Sequence, residues 1–320
     1  MSLTYDPDFA AAAAPMLAAI ASAPQPTVHN IDELRAMLDS WLGGLPDLSE
    51  VPDIEETIYH TPSYDGHLVA IHHYAPKRES AAPAGPAVLH AHGGGFISGS
   101  AAMFRIPMQG MVKASGVPIF SVDYRLAPES PFPAAAEDMY AALTWLHEHA
   151  EEVGVDRTRI ATMGESVGAT LATSAALMAR DRNLSPPLAK QLLIYPCLDD
   201  RTTLSDPALE PLLLWKQEHN LTAWTAYLGQ GKVGSDHVSP YAAPARATRF
   251  DGSPETYIDV GEFDLFKDES VRYAGLLEKA GTKVTLEVYP GVPHSFELFA
   301  FASQATQRAM GLRVAAMRSF

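Results

Sequence analysis

The sequence contains a single cysteine, Cys197, among 320 residues, so no disulfide can form within the chain. A domain of this length buries enough apolar surface to fold without such cross-links. Cys197 lies just beyond a predicted strand, and we therefore expect a buried, chemically inert thiol.

Positive charge is also scarce. Lys and Arg number 23 against 38 Asp and Glu, the formal net charge is −15, and no basic run occurs. Because an acidic surface repels phosphate groups, we expect no nucleic-acid partner and no stable membrane association.

Long apolar runs are missing as well, since none reaches the roughly 20 residues of a membrane-spanning helix. The alanine-rich residues 9–20 follow Asp6 and Asp8 rather than a positively charged segment, unlike a secretory signal. The expected location is the cytoplasm.

The sequence offers two histidine pairs as metal ligands, His90 with His92 and His72 with His73. No Cys, Asp or Glu completes a ligand set near either pair, so we expect no metal site.

From Pro86 onward, predicted strands alternate with predicted helices, which indicates an α/β fold with a mainly parallel sheet. A hairpin formed by residues 56–61 and 68–74 precedes this part, and a helix over residues 295–318 closes the chain. The predicted strands of the alternating part cover residues 86–91, 118–122, 159–163, 191–195, 256–261 and 283–289.

The segment Gly164-Glu165-Ser166-Val167-Gly168 stands between the strand 159–163 and a predicted helix over residues 169–180. A nucleophilic serine needs a sharp strand-to-helix turn, and the flanking glycines make room for it. We therefore predict Ser166 as the nucleophile of a serine hydrolase.

A second glycine motif, His92-Gly93-Gly94-Gly95, directly follows the strand 86–91. A phosphate-binding loop would continue with Lys and Ser or Thr, whereas this one continues with Phe96. Backbone amides of such a loop stabilise the negative charge that develops on a carbonyl oxygen under attack. The predicted donors are the N–H groups of Gly94, Gly95 and Val167.

The nucleophile needs a histidine base, which follows it in the chain of this fold class. Beyond Ser166 the histidines are His219, His237 and His294. His294 lies just after the predicted strand 283–289, where open α/β sheets place their sites, and is the predicted base. His219 and His237 are predicted to be surface residues.

The acid that orients the base is expected on the exit loop of the strand 256–261. Asp264 is the predicted acid by position, and Glu262 is the alternative. Asp268 and Glu269 are predicted to begin the next helix, where carboxylates favour the helix dipole.

These motifs, in this order, resemble the hormone-sensitive-lipase-like (family IV) carboxylesterases of the α/β-hydrolase fold. The resemblance extends from about Val88 to His294 and implies a helical cap, a Ser166–His294–Asp264 triad and no cofactor. It implies hydrolysis of short- to medium-chain acyl esters and is compatible with a homodimer. Further matching segments are Asp123-Tyr124-Arg125-Leu126-Ala127-Pro128-Glu129, Ser239-Pro240-Tyr241-Ala242-Ala243-Pro244 and Gly291-Val292-Pro293-His294-Ser295-Phe296.

The connection between the strands 191–195 and 256–261 is rich in Leu and Trp, and a connection this long inside a compact domain is often a lid. By the same resemblance we assign residues 1–52 and 198–250 to the cap, and residues 53–197 with 251–320 to the catalytic domain. Three aromatic residues are predicted substrate contacts: Phe96, Trp215 and Trp224. For the aromatic residues of the inserted segment, the alternative is a location in the interior of the cap.

Four positions depart from the family pattern: Glu165, Val167, Leu265 and Lys267. The branched side chain of Val167 is expected to narrow the acyl pocket, so acyl chains of about two to eight carbons are predicted. The motifs leave open the hydrolysis of an amide, a formamide or a lactone, and a ligand-binding protein of the same fold.

Overall fold

The computed structural model of the protein describes residues 3–43, 51, 53–77, 83–204 and 206–320. The predicted domain boundary at residue 52 lies outside these residues. At the centre is one eight-stranded sheet with the strand order β1-β2-β4-β3-β5-β6-β7-β8. The strands are β1 (Ile54–Pro62), β2 (Leu68–Pro76), β3 (Gly85–Ala91), β4 (Ile119–Asp123), β5 (Val155–Glu165), β6 (Lys190–Ile194), β7 (Glu255–Phe263) and β8 (Val284–Pro293).

The sheet is parallel from β4 to β8, and the hairpin β1–β2 is antiparallel, which confirms the predicted α/β architecture. Strand β2 also runs antiparallel to β4, so the hairpin extends one edge of the parallel sheet. Strand β6 is buried at every position because helices cover both faces of the sheet.

Helices cover both faces of this sheet. The final helix, predicted over residues 295–318, is in fact two helices, α8 (Phe296–Phe299) and α9 (Gln304–Met317), with a break at residues 300–303. The hydroxyl of Ser303 accepts a hydrogen bond from the N–H of Thr306 and begins the second of them. The helices are α1 (Pro7–Ser22), α2 (Ile31–Leu42), α3 (Arg105–Ser115), α4 (Ala134–Glu148), α5 (Val167–Asp181), α6 (Gln217–Leu228), α7 (Lys267–Lys279), α8 (Phe296–Phe299) and α9 (Gln304–Met317).

None of the helices in the described part of the chain combines the length and the apolar character needed to cross a bilayer. Cys197 is fully buried, and burial raises the pKa of its thiol well above the ordinary value, as predicted.

The N-terminal segment and the long inserted segment meet above the sheet. Helix α2 packs on helix α6, and the backbone N–H of His29 donates to the hydroxyl of Thr222 at 2.9 Å. The side chain of Asn30 caps α2 by accepting a hydrogen bond from the N–H of Glu33. The Glu33 carboxylate accepts from the N–H of Thr27 at 2.8 Å instead of closing a capping box with Asn30.

Candidate active site

Ser166 occupies the turn between β5 and α5, with φ 56° and ψ −120°. The turn is so tight that a Cβ at Gly164 would lie 2.2 Å from the carbonyl carbon of Gly168. A Cβ at Gly168 would lie 2.0 Å from the carbonyl oxygen of Ala91. The two glycines are therefore required by the close approach of backbone on either side of the serine.

The structure brings Ser166, His294 and Asp264 into one hydrogen-bonded chain. Nε2 of His294 lies 3.1 Å from Oγ of Ser166, and Nδ1 lies 2.7 Å from Oδ2 of Asp264. The second carboxylate oxygen of Asp264 accepts from the N–H of Phe266 at 2.9 Å. Because β5, β7 and β8 are parallel, the residues that follow their carboxyl ends meet at one edge of the sheet.

Glu262, the alternative acid, contacts the loop instead of the histidine ring. Its Oε2 accepts from the N–H of Gly291 at 2.8 Å, three residues before His294. Glu262 is exposed, whereas Asp264 is 2% exposed. The hydrogen bonds therefore favour Asp264 as the partner of His294.

The other two histidines lie in different environments. His237 is exposed, as predicted. His219 was expected at the surface, and this prediction is wrong: the residue is 3% exposed because α6 is buried on nearly all sides. Its Nδ1 accepts from the N–H of Lys216 at 3.3 Å, and desolvation lowers its pKa to about 4.

The glycine loop after β3 exposes backbone amides beside Ser166. Gly94 has φ 125°, and a Cβ there would lie 2.0 Å from the carbonyl oxygen of Ser98. The Gly94 carbonyl accepts from the N–H groups of Ile97 and Ser98, which closes the turn. Within the described ranges, the amides of Gly94, Gly95 and Val167 donate to no protein acceptor and stay available to a ligand.

His92 anchors the start of this loop. Its Nδ1–H donates to the carbonyl oxygen of Gly93 at 2.7 Å, and the ring stacks on Tyr124. The hydroxyl of Tyr124 donates to the carbonyl oxygen of His92 at 2.7 Å. Desolvation lowers the pKa of His92 to about 4, so the ring is neutral at pH 7.

A cavity of about 60 Å³ opens beside Ser166 and His294. Of the predicted substrate contacts, Trp215 lines it, whereas Phe96 and Trp224 do not. Helix α2 contributes side chains that the sequence analysis did not assign to the site, although their spacing marks an apolar helix face. The apolar side chains of the wall are Leu38, Trp41, Leu42, Phe104, Trp215 and Leu298.

Phe96 and Trp224 lie instead in the apolar core under α6. The ring of Phe96 stacks on Tyr227 with centroids 4.0 Å apart and contacts Trp224 at 5.1 Å. Both residues are almost completely buried, at 1% and 0% exposure. Their role is to pack the inserted segment onto the glycine loop, because aromatic side chains stabilise such a contact through their large buried area.

A second histidine–carboxylate pair lies on the other side of Ser166. Nε2 of His90 lies 2.8 Å from Oε2 of Glu165, and its Nδ1 lies 2.8 Å from Oγ of Ser121. His90 is fully buried, and Glu165 lines the cavity. In the sequence Glu165 stands out only as a departure from the family pattern, since its partner is 75 residues away.

The described residues contain no cluster of three or more metal-ligating side chains. The two ring nitrogens of His90 contact Glu165 and Ser121, and Nδ1 of His92 contacts a carbonyl oxygen.

Comparisons with known proteins show the family of the chain. A family profile described as the alpha/beta hydrolase fold matches residues 88–298. The chain is 34% identical over 269 residues to the ethyl acetate hydrolase of Pseudomonas putida, covering 83% of this chain and 82% of that protein. It is 37% identical over 237 residues to the esterase LipI of Mycobacterium tuberculosis, covering 72% of each.

Among solved structures, a bacterial heroin esterase superimposes with a TM-score of 0.87 at 33% identity, covering 98% of this chain and 97% of that one. A thermostable esterase from Pseudomonas putida gives a TM-score of 0.85 at 27% identity, covering 99% and 98%. The chain belongs to the α/β-hydrolase fold family, within its hormone-sensitive-lipase-like esterases.

Proposed function

We propose that the protein is a serine carboxylesterase that hydrolyses short- to medium-chain acyl esters at Ser166. The observation that carries the proposal is the hydrogen-bonded chain Ser166–His294–Asp264 beside a cavity and three free backbone amides. The esterase names of relatives that match over most of the chain support the same reaction.

In the acylation step, His294 takes the proton of Ser166 through Nε2 while Oγ attacks the ester carbonyl. Asp264 holds Nδ1–H of the ring and stabilises the imidazolium that forms. The amides of Gly94, Gly95 and Val167 bind the oxyanion, where loss of one donor typically costs about 2.7–4 kcal/mol of barrier.

In the second half of the cycle, His294 donates the proton to the leaving alcohol as the ester bond breaks. Water then attacks the acyl-enzyme while His294 takes its proton, and His294 returns that proton to Oγ of Ser166 as the carboxylic acid leaves. Ser166, His294 and Asp264 are already in hydrogen-bond contact, so these three side chains need little reorganisation.

Residues 1–52 and 198–250 act as the cap in this proposal, and the remainder as the catalytic domain. Two contacts support the assignment: α2 packs on α6, and side chains of both segments line the cavity. The cap excludes water and limits acyl length. The small cavity and the ethyl acetate hydrolase among the relatives both favour short acyl groups.

The proposal is tested with p-nitrophenyl esters from acetate to palmitate, beside a Ser166→Ala control. We expect kcat/KM to be highest within about two to eight acyl carbons, because each methylene that fits contributes about 0.8 kcal/mol until the cavity is full. A fluorophosphonate probe should phosphonylate Oγ of Ser166 alone, with loss of fluoride, and mass spectrometry of the peptides locates the adduct. A folded protein that hydrolyses no ester, or that takes the probe elsewhere, would contradict the proposal.

A cytoplasmic location and a homodimer complete the proposed description. Cell fractionation checks the first, and light scattering of the purified chain measures the second.

A further inference from the structure

The carboxylate of Glu165 uses one oxygen and leaves the other without a partner. Oε2 contacts Nε2 of His90 at 2.8 Å, whereas Oε1 has no hydrogen-bond partner among the residues that the structure describes. The side chain is largely buried, with the residue 6% exposed, yet it forms part of the cavity wall. Oε1 is therefore open to a donor that enters the cavity, and a carboxylate oxygen forms a stronger hydrogen bond with such a donor than a neutral acceptor does.

Two side-chain donors of the cavity wall already donate to other acceptors. The hydroxyl of Tyr195, which also lines the cavity, donates to Glu297 at 2.8 Å. The indole N–H of Trp215 donates to Asn220 at 3.3 Å. Across the described ranges, His90 is the one ion-pair partner of Glu165, and no Lys or Arg pairs with it.

Glu165 is also adjacent to the nucleophile in the chain, and both residues line the same cavity of about 60 Å³. A ligand atom that contacts Glu165 is therefore only a few bonds from the carbonyl carbon that Ser166 attacks. The rest of the wall is mostly apolar, so the carboxylate is the strongest hydrogen-bond acceptor that a substrate meets there.

We propose that Glu165 forms a polar subsite that selects esters carrying a hydroxyl or ammonium donor close to the scissile carbonyl. This inference rests on the proposed esterase function and narrows it to a substrate class. His90 holds the carboxylate from one side, and the substrate donor binds the free oxygen from the other. An ester with only hydrocarbon on that side leaves the acceptor unpaired, which lowers its relative rate.

The experiment compares esters that differ by CH₃ against OH, which are nearly equal in size. The acyl pairs are p-nitrophenyl propionate with glycolate and butyrate with 3-hydroxypropionate. The alcohol-side pair is propyl with 2-hydroxyethyl butyrate. For each pair, kcat/KM of the hydroxylated ester is divided by kcat/KM of the methyl-ended ester. This ratio is measured in the wild type and in Glu165→Gln, which keeps the side chain's shape and removes its charge.

Dividing the wild-type ratio by the variant ratio cancels the intrinsic reactivity of the esters. We expect the quotient to favour the hydroxylated ester by about tenfold for at least one pair, as for a hydrogen bond to a charged group. Quotients near one for all pairs would overturn the proposal. The methyl-ended esters report esterase activity by themselves, so failure of the subsite and failure of the proposed function give different results.

Binding gives a second measurement that requires no turnover. The Ser166→Ala protein is titrated with each ester of a pair, and quenching of tryptophan fluorescence reports occupancy beside Trp215. The hydroxylated ester should bind about tenfold more tightly, and Ser166→Ala/Glu165→Gln should remove the preference. Equal affinities for both esters of every pair in the single variant would also reject the subsite.

Discussion

Two hydrogen-bonded chains, each made of a serine, a histidine and a carboxylate, lie on opposite sides of the turn at Ser166. One is Ser166–His294–Asp264, and the other joins Ser121, His90 and Glu165. The histidine–carboxylate distances are almost equal, 2.7 Å in the first and 2.8 Å in the second.

The two serines differ in backbone conformation and in the access that a substrate has to their hydroxyl groups. Ser166 stands at φ 56° on a turn that faces a cavity and free backbone amides. Ser121 lies inside β4, fully buried, where its backbone pairs with neighbouring strands. A substrate carbonyl has room to approach the first hydroxyl and not the second. Residue types in the right order are therefore insufficient, and we propose that access and oxyanion donors make the Ser166 chain the reactive one.

Replacing each serine by alanine should give the largest difference between the two chains. Ser166→Ala removes the attacking group, and we expect kcat to fall by about 10⁶-fold. Ser121→Ala leaves a nitrogen of His90 unpaired, so it should lower the free energy of unfolding by about 1–3 kcal/mol and retain esterase activity. Steady-state kinetics and denaturant unfolding measure the two effects. Complete inactivity of a folded Ser121→Ala protein would show that the second chain takes part in the reaction.

The acid of the reactive chain is tested by the pair Asp264→Asn and Glu262→Gln. The amide of Asp264→Asn favours the wrong tautomer of His294, and kcat should fall by about 10⁴-fold. Glu262 contacts the N–H of Gly291, so Glu262→Gln should produce a far smaller loss. Kinetics at saturating substrate decide between them. The reverse order of effects would make Glu262 the acid.

His92, two residues from His90, should affect the free energy of unfolding and its dependence on pH. Its pKa is lowered to about 4 by desolvation, below the ordinary 6.5. The unfolded chain therefore binds the proton first, and the stability due to the neutral ring is present above pH 6.5 and lost as pH falls toward 4. We expect His92→Phe to flatten the dependence of unfolding free energy on pH by up to about 1.4 kcal/mol per pH unit in this window.

Urea unfolding at several pH values measures this dependence. His219, with the same pKa of about 4, continues to titrate in the variant, so some slope should remain. Equal slopes in the wild type and in His92→Phe would mean that His92 is already protonated in the folded protein.

The smallest expected effect is the difference between a tryptophan that lines the cavity, Trp215, and one that does not, Trp224. Trp215→Phe enlarges the cavity, so kcat/KM should rise by up to about fourfold more for each added acyl methylene. Trp224→Phe changes the core under α6, so it should lower thermal stability and leave the chain-length profile in place. The p-nitrophenyl series measures both variants. A matching shift in Trp224→Phe would mean that the core residue controls the cavity.

Much of the molecule follows from local sequence signals. The predicted strands, the hairpin and the alternation from β3 onward are present, because period-two apolar runs and glycine turns act over a few residues. Ser166 and His294 were found in the same way, since each directly follows a predicted strand. The break between α8 and α9 was missed because helix-forming residues continue across it, whereas the contacts of Phe296 and Phe299 with α1 lie far away in sequence.

The sequence by itself determined the order of strands and helices, the turn at Ser166 and the glycine loop, since backbone stereochemistry sets all of them locally. Tertiary structure alone decided which aromatic residues face the cavity, that His219 is buried, and that Glu165 pairs with His90 while one oxygen stays free. Apolar spacing marks which face of an element is buried but does not say against what, because the facing surface comes from segments distant in the chain.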